Sequence, residues 1–154
     1  MKELSKEEIR QILTQRFAKD TRKSLADLPL PATLKDNFKA AKRIKVAIEK
    51  AEKIAIVGDY DVDGIVSCVM MAEDATLIIT VDNGIGAVEA GELCKQRGVD
   101  LIITDHQIPP QTLPQAYAII NPKQKDDEFA DIEICGAQVA WYLLAALKEE
   151  CKLN

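Results

Sequence analysis

Cysteine is sparse and unpaired in this chain: Cys68, Cys94, Cys135 and Cys151 stand singly, with no C-x-x-C among them. That spacing argues against structural zinc and against a disulfide framework. Each thiol is therefore read as a small apolar core residue. No apolar run reaches the length of a membrane-spanning helix, and the leading MKELSKEEIRQ has no signal-peptide core. A cytoplasmic protein with no membrane association is expected. A basic excess is missing too. The net charge is −5, so contact with nucleic acid has to come from a local basic surface or through metal ions. Histidine occurs once, at His106, and aromatic residues make up 5% of the chain. The remainder is ordinary for a globular protein: 154 residues, 47% hydrophobic and 29% charged, enough for about one domain with a real core.

What the chain does have is concentrated in Ile54–Gly64, IAIVGDYDVDG. A short apolar run bounded by glycine reads as a buried strand of a parallel sheet. Three aspartates follow it at alternate positions, Asp59, Asp61 and Asp63. Open α/β sheets keep their ligands at the C-terminal ends of their strands, and alternate spacing puts the carboxylates on one side of an extended chain. Clustered carboxylates repel unless a cation or a shared proton offsets the charge. Oxygen ligands suit Mg²⁺ or Mn²⁺. The competing reading is a turn or a helix cap, where Asp and Gly are common.

The rest of the chain alternates. Ser5-Lys6-Glu7-Glu8 has capping-box form ahead of an amphipathic helix over about 6–17. Residues 18–35, with Pro29 and Pro31, read as a connector. Asp36 is placed to cap a helix over about 37–52. The basic residues of that helix (Lys39, Lys42, Arg43, Lys45 and Lys50) either face solvent, the commoner case, or touch a phosphate backbone. Strands are expected at 54–59, 76–81, 100–104 and 117–120, and helices at about 64–73, 87–97 and 136–150. Gly98 is placed to stop the second of these helices. This alternation means an α/β fold, a parallel sheet with helices on both faces. One junction is abnormal. The helix at 64–73 meets the strand at 76–81 through Asp74-Ala75 alone, without Gly or Pro. A segment is expected to be missing between about Met71 and Thr76.

Every candidate ligand follows a predicted strand: Asp59, Asp61 and Asp63 after the first, Asp82 in VDNG after the second, Asp105 and His106 in TDHQ after the third. Parallel strands bring these ends to one edge of the sheet. Several aspartates with one imidazole suit one or two Mn²⁺ or Mg²⁺ ions in phosphoryl chemistry. Asp82-Asn83-Gly84 also reads as a simple turn, since Asn-Gly is a turn dipeptide. Asp100 precedes its strand and belongs to the opposite edge. Gly136, at the start of the last helix, either leaves N–H groups free for a phosphate or permits close packing.

At these residues the sequence resembles the DHH-family phosphoesterases. VGDYDVDG is similar to the family's first motif, ITVDNGI to the second and TDHQ to the third. LADLPLPATLKDNFKAAKRI before the first motif, and LPQAYAIINPKQ with CGAQVAWYLL after the third, resemble the bacterial single-strand-specific 5′→3′ DNA exonucleases of that family. The resemblance covers about 25–150. It implies a Rossmann-like α/β fold preceded by N-terminal helices, with residues 1–35 as helix and linker and 36–154 as a partial catalytic domain. It implies Mn²⁺ or Mg²⁺ bound by Asp61, Asp63, Asp82 and His106, with Asp59 on or beside the ion and Asp105 orienting His106. Asn83, Gln107 and Gly136 would lie around the ligands or near a phosphate.

The implied activity is hydrolysis of single-stranded DNA from its 5′ end in repair and recombination, with single-strand-binding protein as a further partner. Few aromatic residues are present to stack bases. Three departures stand out. Gln107 occupies the position of the family's second histidine and is neutral. The spacing from Asp63 to Asp82 is short. The chain also ends before the fourth motif and the second domain, so the isolated fragment is expected to be inactive. Two alternatives remain: a relative acting on short oligonucleotides or cyclic dinucleotides, and a catalytically degenerate DNA-binding or scaffold relative, which Gln107 favours.

Overall fold

The computed structural model describes residues 5–16, 25–58, 74–129 and 133–152. The predicted helix at 64–73, Cys68, and Asp59, Asp61 and Asp63 lie outside them. Four strands, β1 (Ile54–Val57), β2 (Leu77–Val81), β3 (Asp100–Thr104) and β4 (Ala118–Ile120), form one sheet in the order β1-β2-β3-β4. All three pairings are parallel, with Ile56 opposite Ile79 and Ile79 opposite Ile102. The described helices are α1 (Lys6–Arg16), α2 (Asn37–Glu49), α3 (Val88–Arg97) and α4 (Gly136–Glu150).

Alternation along the strands divides the core into two layers. Leu77, Ile79, Ile102, Ala118 and Ile120 face α2 and α4, where Ala40, Ala41, Ile44, Val139, Leu143 and Ala146 meet them. Ile78, Leu101, Ile103 and Ile119 face α3, against Ala90 and Cys94. The fold is α/β, with a parallel sheet covered on both faces. The strands read as apolar runs because β2 and β3 are buried on both sides. No helix among the described residues is long and apolar enough to cross a membrane.

Several local details differ from expectation. α2 stops at Glu49, short of 52, because Ala51 turns into left-handed backbone at φ 52°. Asp36 stands at the N-cap of α2 but makes no side-chain cap. Its own φ is 59°, and its Oδ2 accepts the N–H of Ile119 instead (3.2 Å), pinning β4. The Ser5/Glu8 capping box is present, with Ser5 N donating to Glu8 Oε2 at 2.8 Å and Glu8 N to Ser5 Oγ at 3.2 Å. Gly98 ends α3 at φ 68°, with Val99 N donating to Cys94 O.

Within the connector, Pro31–Thr33 is a single 3₁₀ turn, and Asn37 Nδ2 binds both Pro31 O and Tyr142 O. Cys94 is the small core residue expected, and burial pushes its thiol up to about 11. Cys135 is not: it is exposed, because it sits at the N-cap of α4 where Gln138 Oε1 accepts its N–H.

The basic residues of α2 are largely engaged within the fold. Arg43 donates to Asp100 and Glu52, Lys45 to Glu150 O, Lys42 lies 4.0 Å from Glu150, and Lys39 sits over the Tyr117 ring.

Candidate functional site

The C-terminal ends of β2, β3 and β4 meet at one edge, and buried polar side chains tie them together. Thr80 Oγ1 donates to Asn83 O (2.7 Å), closing the turn after β2, and Thr104 Oγ1 donates to Thr80 O (2.7 Å), joining β3 to β2. Asn121, fully buried after β4, donates through Nδ2 to Gln107 O (2.9 Å), while Gln124 Nε2 donates to Ile119 O. Thr80, Thr104, Asn121 and Gln124 were not singled out from sequence. Their signal is a polar residue at or just past the end of each apolar strand, and their burial is tolerated only because each is hydrogen-bonded.

On this frame the structure brings Asp82 and His106 together. Asp82 Oδ1 lies 3.2 Å from His106 Nε2, with the Asp82 side chain 56% exposed and that of His106 34%. They come from the ends of adjacent parallel strands, so the pairing is a direct product of sheet register. Asp82 adopts left-handed backbone, φ 64°, which aspartate tolerates better than most residues. Asp105 is almost wholly buried, and its carboxylate holds backbone. Its Oδ1 accepts the N–H groups of His106 (2.7 Å) and Gln107 (3.0 Å), and its Oδ2 that of Ile85 (2.9 Å). It orients His106 through the main chain and at the same time ties the loop after β3 to the loop after β2.

Asn83 is buried and turned back on its own loop, with Nδ2 donating to Val81 O. Gln107 is exposed. Gly136 packs against the site: a Cβ there would stand 1.7 Å from Asp82 Oδ1 and 2.6 Å from Asp82 Cβ. The first turn of α4 therefore touches the Asp82 side chain. Among the described residues no three His, Cys, Asp or Glu converge. A carboxylate oxygen beside an imidazole nitrogen, both open to solvent, is a donor pair that suits a divalent cation.

A parallel sheet whose strand ends carry VDNG and TDHQ, with Asp82 and His106 facing each other, defines the class of protein. The family model described as "DHH family, N-terminal domain" matches residues 72–154, and the chain belongs to the DHH family. Its relatives narrow this further. It is 37% identical over 159 residues to the single-stranded-DNA-specific exonuclease RecJ of Bacillus subtilis, a match covering 81% of this chain and 20% of that protein. It is 32% identical over 145 residues to RecJ of Escherichia coli, covering 71% of this chain and 25% of that protein.

The fold resembles the crystal structure of RecJ from Thermus thermophilus in complex with Mn²⁺ (TM-score 0.64, 27% identity, 79% of this chain and 22% of that one). It also resembles that of exonuclease RecJ bound to manganese (TM-score 0.65, 26% identity, 85% and 41%). The chain thus spans a quarter or less of the length of the two curated relatives.

Proposed function

We propose that this chain is part of a metal-dependent nuclease that removes nucleotides from the 5′ end of single-stranded DNA, in the cytoplasm, during repair and recombination. The observation that carries the reading is the Asp82–His106 pair, 3.2 Å apart at two adjacent strand ends. The RecJ relatives and the manganese in two related structures support the choice of substrate and ion. In this reading Asp82 and His106 hold Mn²⁺ or Mg²⁺, with Asp61 and Asp63, and with Asp59 on or beside the ion. The ion supplies Lewis acidity toward water and the phosphodiester.

The chain's own residues do the positioning. Asp105 fixes the backbone on either side of the pair. The first turn of α4 lies against Asp82, and its N–H groups favour negative charge. Gln107 offers a neutral donor and acceptor for a phosphate. Single-strand-binding protein is a further partner in this reading.

The test has two arms. Mn²⁺ at a hundredfold excess over its Kd should stabilise the chain by about 2.7 kcal/mol, read as a rise in melting temperature, and Asp82→Ala and His106→Ala should each abolish the rise. An equal rise in both variants overturns the site. Fused to the parts of the Bacillus subtilis relative that it lacks, the chain should degrade 5′-ended single strands with Mn²⁺. Cleavage of cyclic dinucleotides alone, or DNA binding that becomes cleavage only with Gln107→His, would replace this reading with one of the two alternatives.

A further inference from the structure

The loop that leaves β3 past His106 is apolar where it meets the site. Ile108-Pro109-Pro110 follows Gln107 directly, and Ile108 is 82% exposed, the most exposed large apolar side chain among the described residues. Single exposed isoleucines are common on any surface. This one is set apart by its position and by how firmly its backbone is held. Two residues separate it from His106, so its Cα lies within about 7 Å of the His106 Cα.

The backbone on either side of Ile108 has little freedom. Gln107 N donates to Asp105 Oδ1 (3.0 Å), and Gln107 O accepts from Asn121 Nδ2 (2.9 Å). Both partners are buried. On the other side, Pro109 and Pro110 fix their own φ, and a proline confines the residue before it to extended backbone. The isoleucine side chain is β-branched and stiff at χ1. It therefore has little conformational freedom to lose when something packs on it. A pinned loop is holding an apolar group out in water at the rim of a polar site.

A single strand of DNA bound there needs a surface for its bases, and stacking platforms are usually aromatic. Aromatic rings do not supply one in the described loops at this edge. Phe129 and Tyr142 pack edge to face with ring centroids 5.2 Å apart, both buried. Tyr117 lies at the far end of the loop after β3. Its N–H donates to Leu101 O at the start of that strand, so it belongs to the opposite edge, where Lys39 sits over its ring. Gln107 and Ile108, by contrast, set an exposed amide beside an exposed aliphatic group. A nucleotide has the same order of parts, a polar phosphate and then an apolar base face, on the same scale of length.

We propose that Ile108 is the base platform of this site: the base next to the phosphate held at Asp82 and His106 lies against its side chain, with Pro109 continuing the surface. The inference rests on the nuclease reading for the phosphate and adds what the rest of the nucleotide touches. An aliphatic platform has no hydrogen-bonding group, so it accepts every base, and it favours purines over pyrimidines because the larger ring covers more apolar surface.

The experiment uses the chain fused to the missing parts of the Bacillus subtilis relative, with Mn²⁺ and two 5′-phosphorylated single strands. One strand is ordinary, and the other is abasic at its 5′-terminal positions. Ile108→Ser should raise KM on the ordinary strand about tenfold more than on the abasic one, with kcat on each changing less than about twofold. That factor corresponds to 1.4 kcal/mol, or about 55 Å² of apolar surface left uncovered. Ile108→Leu should restore the KM of the parent. An equal change in KM on both strands overturns the proposal. So does a fall in the melting temperature of the fused protein caused by Ile108→Ser without DNA, since another part of the protein would then cover the side chain. A second measurement keeps this separate from the nuclease reading. In the chain as it is, with Mn²⁺, the Ile108 δ1 methyl resonance should move upfield on titration with the ordinary strand and stay in place with the abasic one. Absence of cleavage with that shift intact removes the nuclease reading alone. Cleavage without the shift removes the platform alone, and loss of both removes both.

Discussion

At the scale of single residues, the site depends on how closely α4 approaches Asp82. Asp82 is already in left-handed backbone, and its carboxylate is aligned on His106. Gly136 is the residue that lets the helix in. Adding one methyl there places carbon 1.7 Å from Asp82 Oδ1 and 2.1 Å from Cγ. Both the tip and the root of the side chain are obstructed, so rotating the carboxylate is no escape. Gly136→Ala should cost about 1–3 kcal/mol, the usual range for overpacking, and lower the melting temperature by roughly 2–4 °C per kcal/mol. The sharper readout is the His106 imidazole resonance. Its response to Mn²⁺ should be weakened in Gly136→Ala, while a surface change such as Lys148→Ala leaves it alone. Of the two roles the sequence allows for Gly136, close packing is the one with a contact in the structure behind it. Nothing in the local sequence pointed to Asp82 as the neighbour, because the two meet only through the tertiary fold.

At the scale of elements, the edge opposite the site is held by one guanidinium. Arg43 of α2 donates to Asp100 at the start of β3 (2.5 Å) and to Glu52 just before β1 (2.7 Å), and Thr76 Oγ1 donates to the same Glu52 oxygen (2.8 Å). The hydrogen bond from Arg43, reinforced by that from Thr76, holds the Glu52 carboxyl below its ordinary value. A depressed folded value stabilises the fold above the unfolded value, about 4.3 for glutamate. That stability is lost as pH falls through the folded value. Urea unfolding at pH 7, 5 and 3.5 should therefore show Glu52→Gln less stable than the parent at pH 7 and closer to it at pH 3.5. A constant difference across the range would remove Glu52 from the acid limb.

The elements themselves were legible in the sequence. Apolar runs at 54–57, 77–81 and 100–104 are strands, and the aspartate and histidine after β2 and β3 do meet. What was not legible is where polar side chains turn inward. Asp36, read as a cap, binds β4. Asp105, read as a partner of the imidazole, binds backbone. Asn121 and Thr104 look like loop and strand residues until register shows them stapling neighbouring strand ends.

At the scale of the whole molecule, packing decides which part of the N-terminal region the sheet needs. α1 shows Ile9, Ile12 and Leu13 at 44–48% exposure, so its amphipathic stripe buries little. The segment just before α2 is different. Leu34 is 2% exposed in the α2–α4 layer. Pro31 O accepts from the wholly buried Asn37, and Lys35 N donates to Asp127 Oδ2 at 2.9 Å. Two truncations should separate. Starting the chain at Leu25 removes α1 and should shift stability by no more than about 0.5 kcal/mol, as for changes away from a core. Starting it at Asp36 removes Leu34 and the Pro31 carbonyl. It should cost about 2–5 kcal/mol, the range for emptying a buried leucine site, with Asn37 losing a partner besides. Urea midpoints at constant slope would measure both. Equal stability of the two truncated chains would show that residues 25–35 are a passive linker, whereas a large loss at the first cut would mean that α1 covers apolar surface in solution.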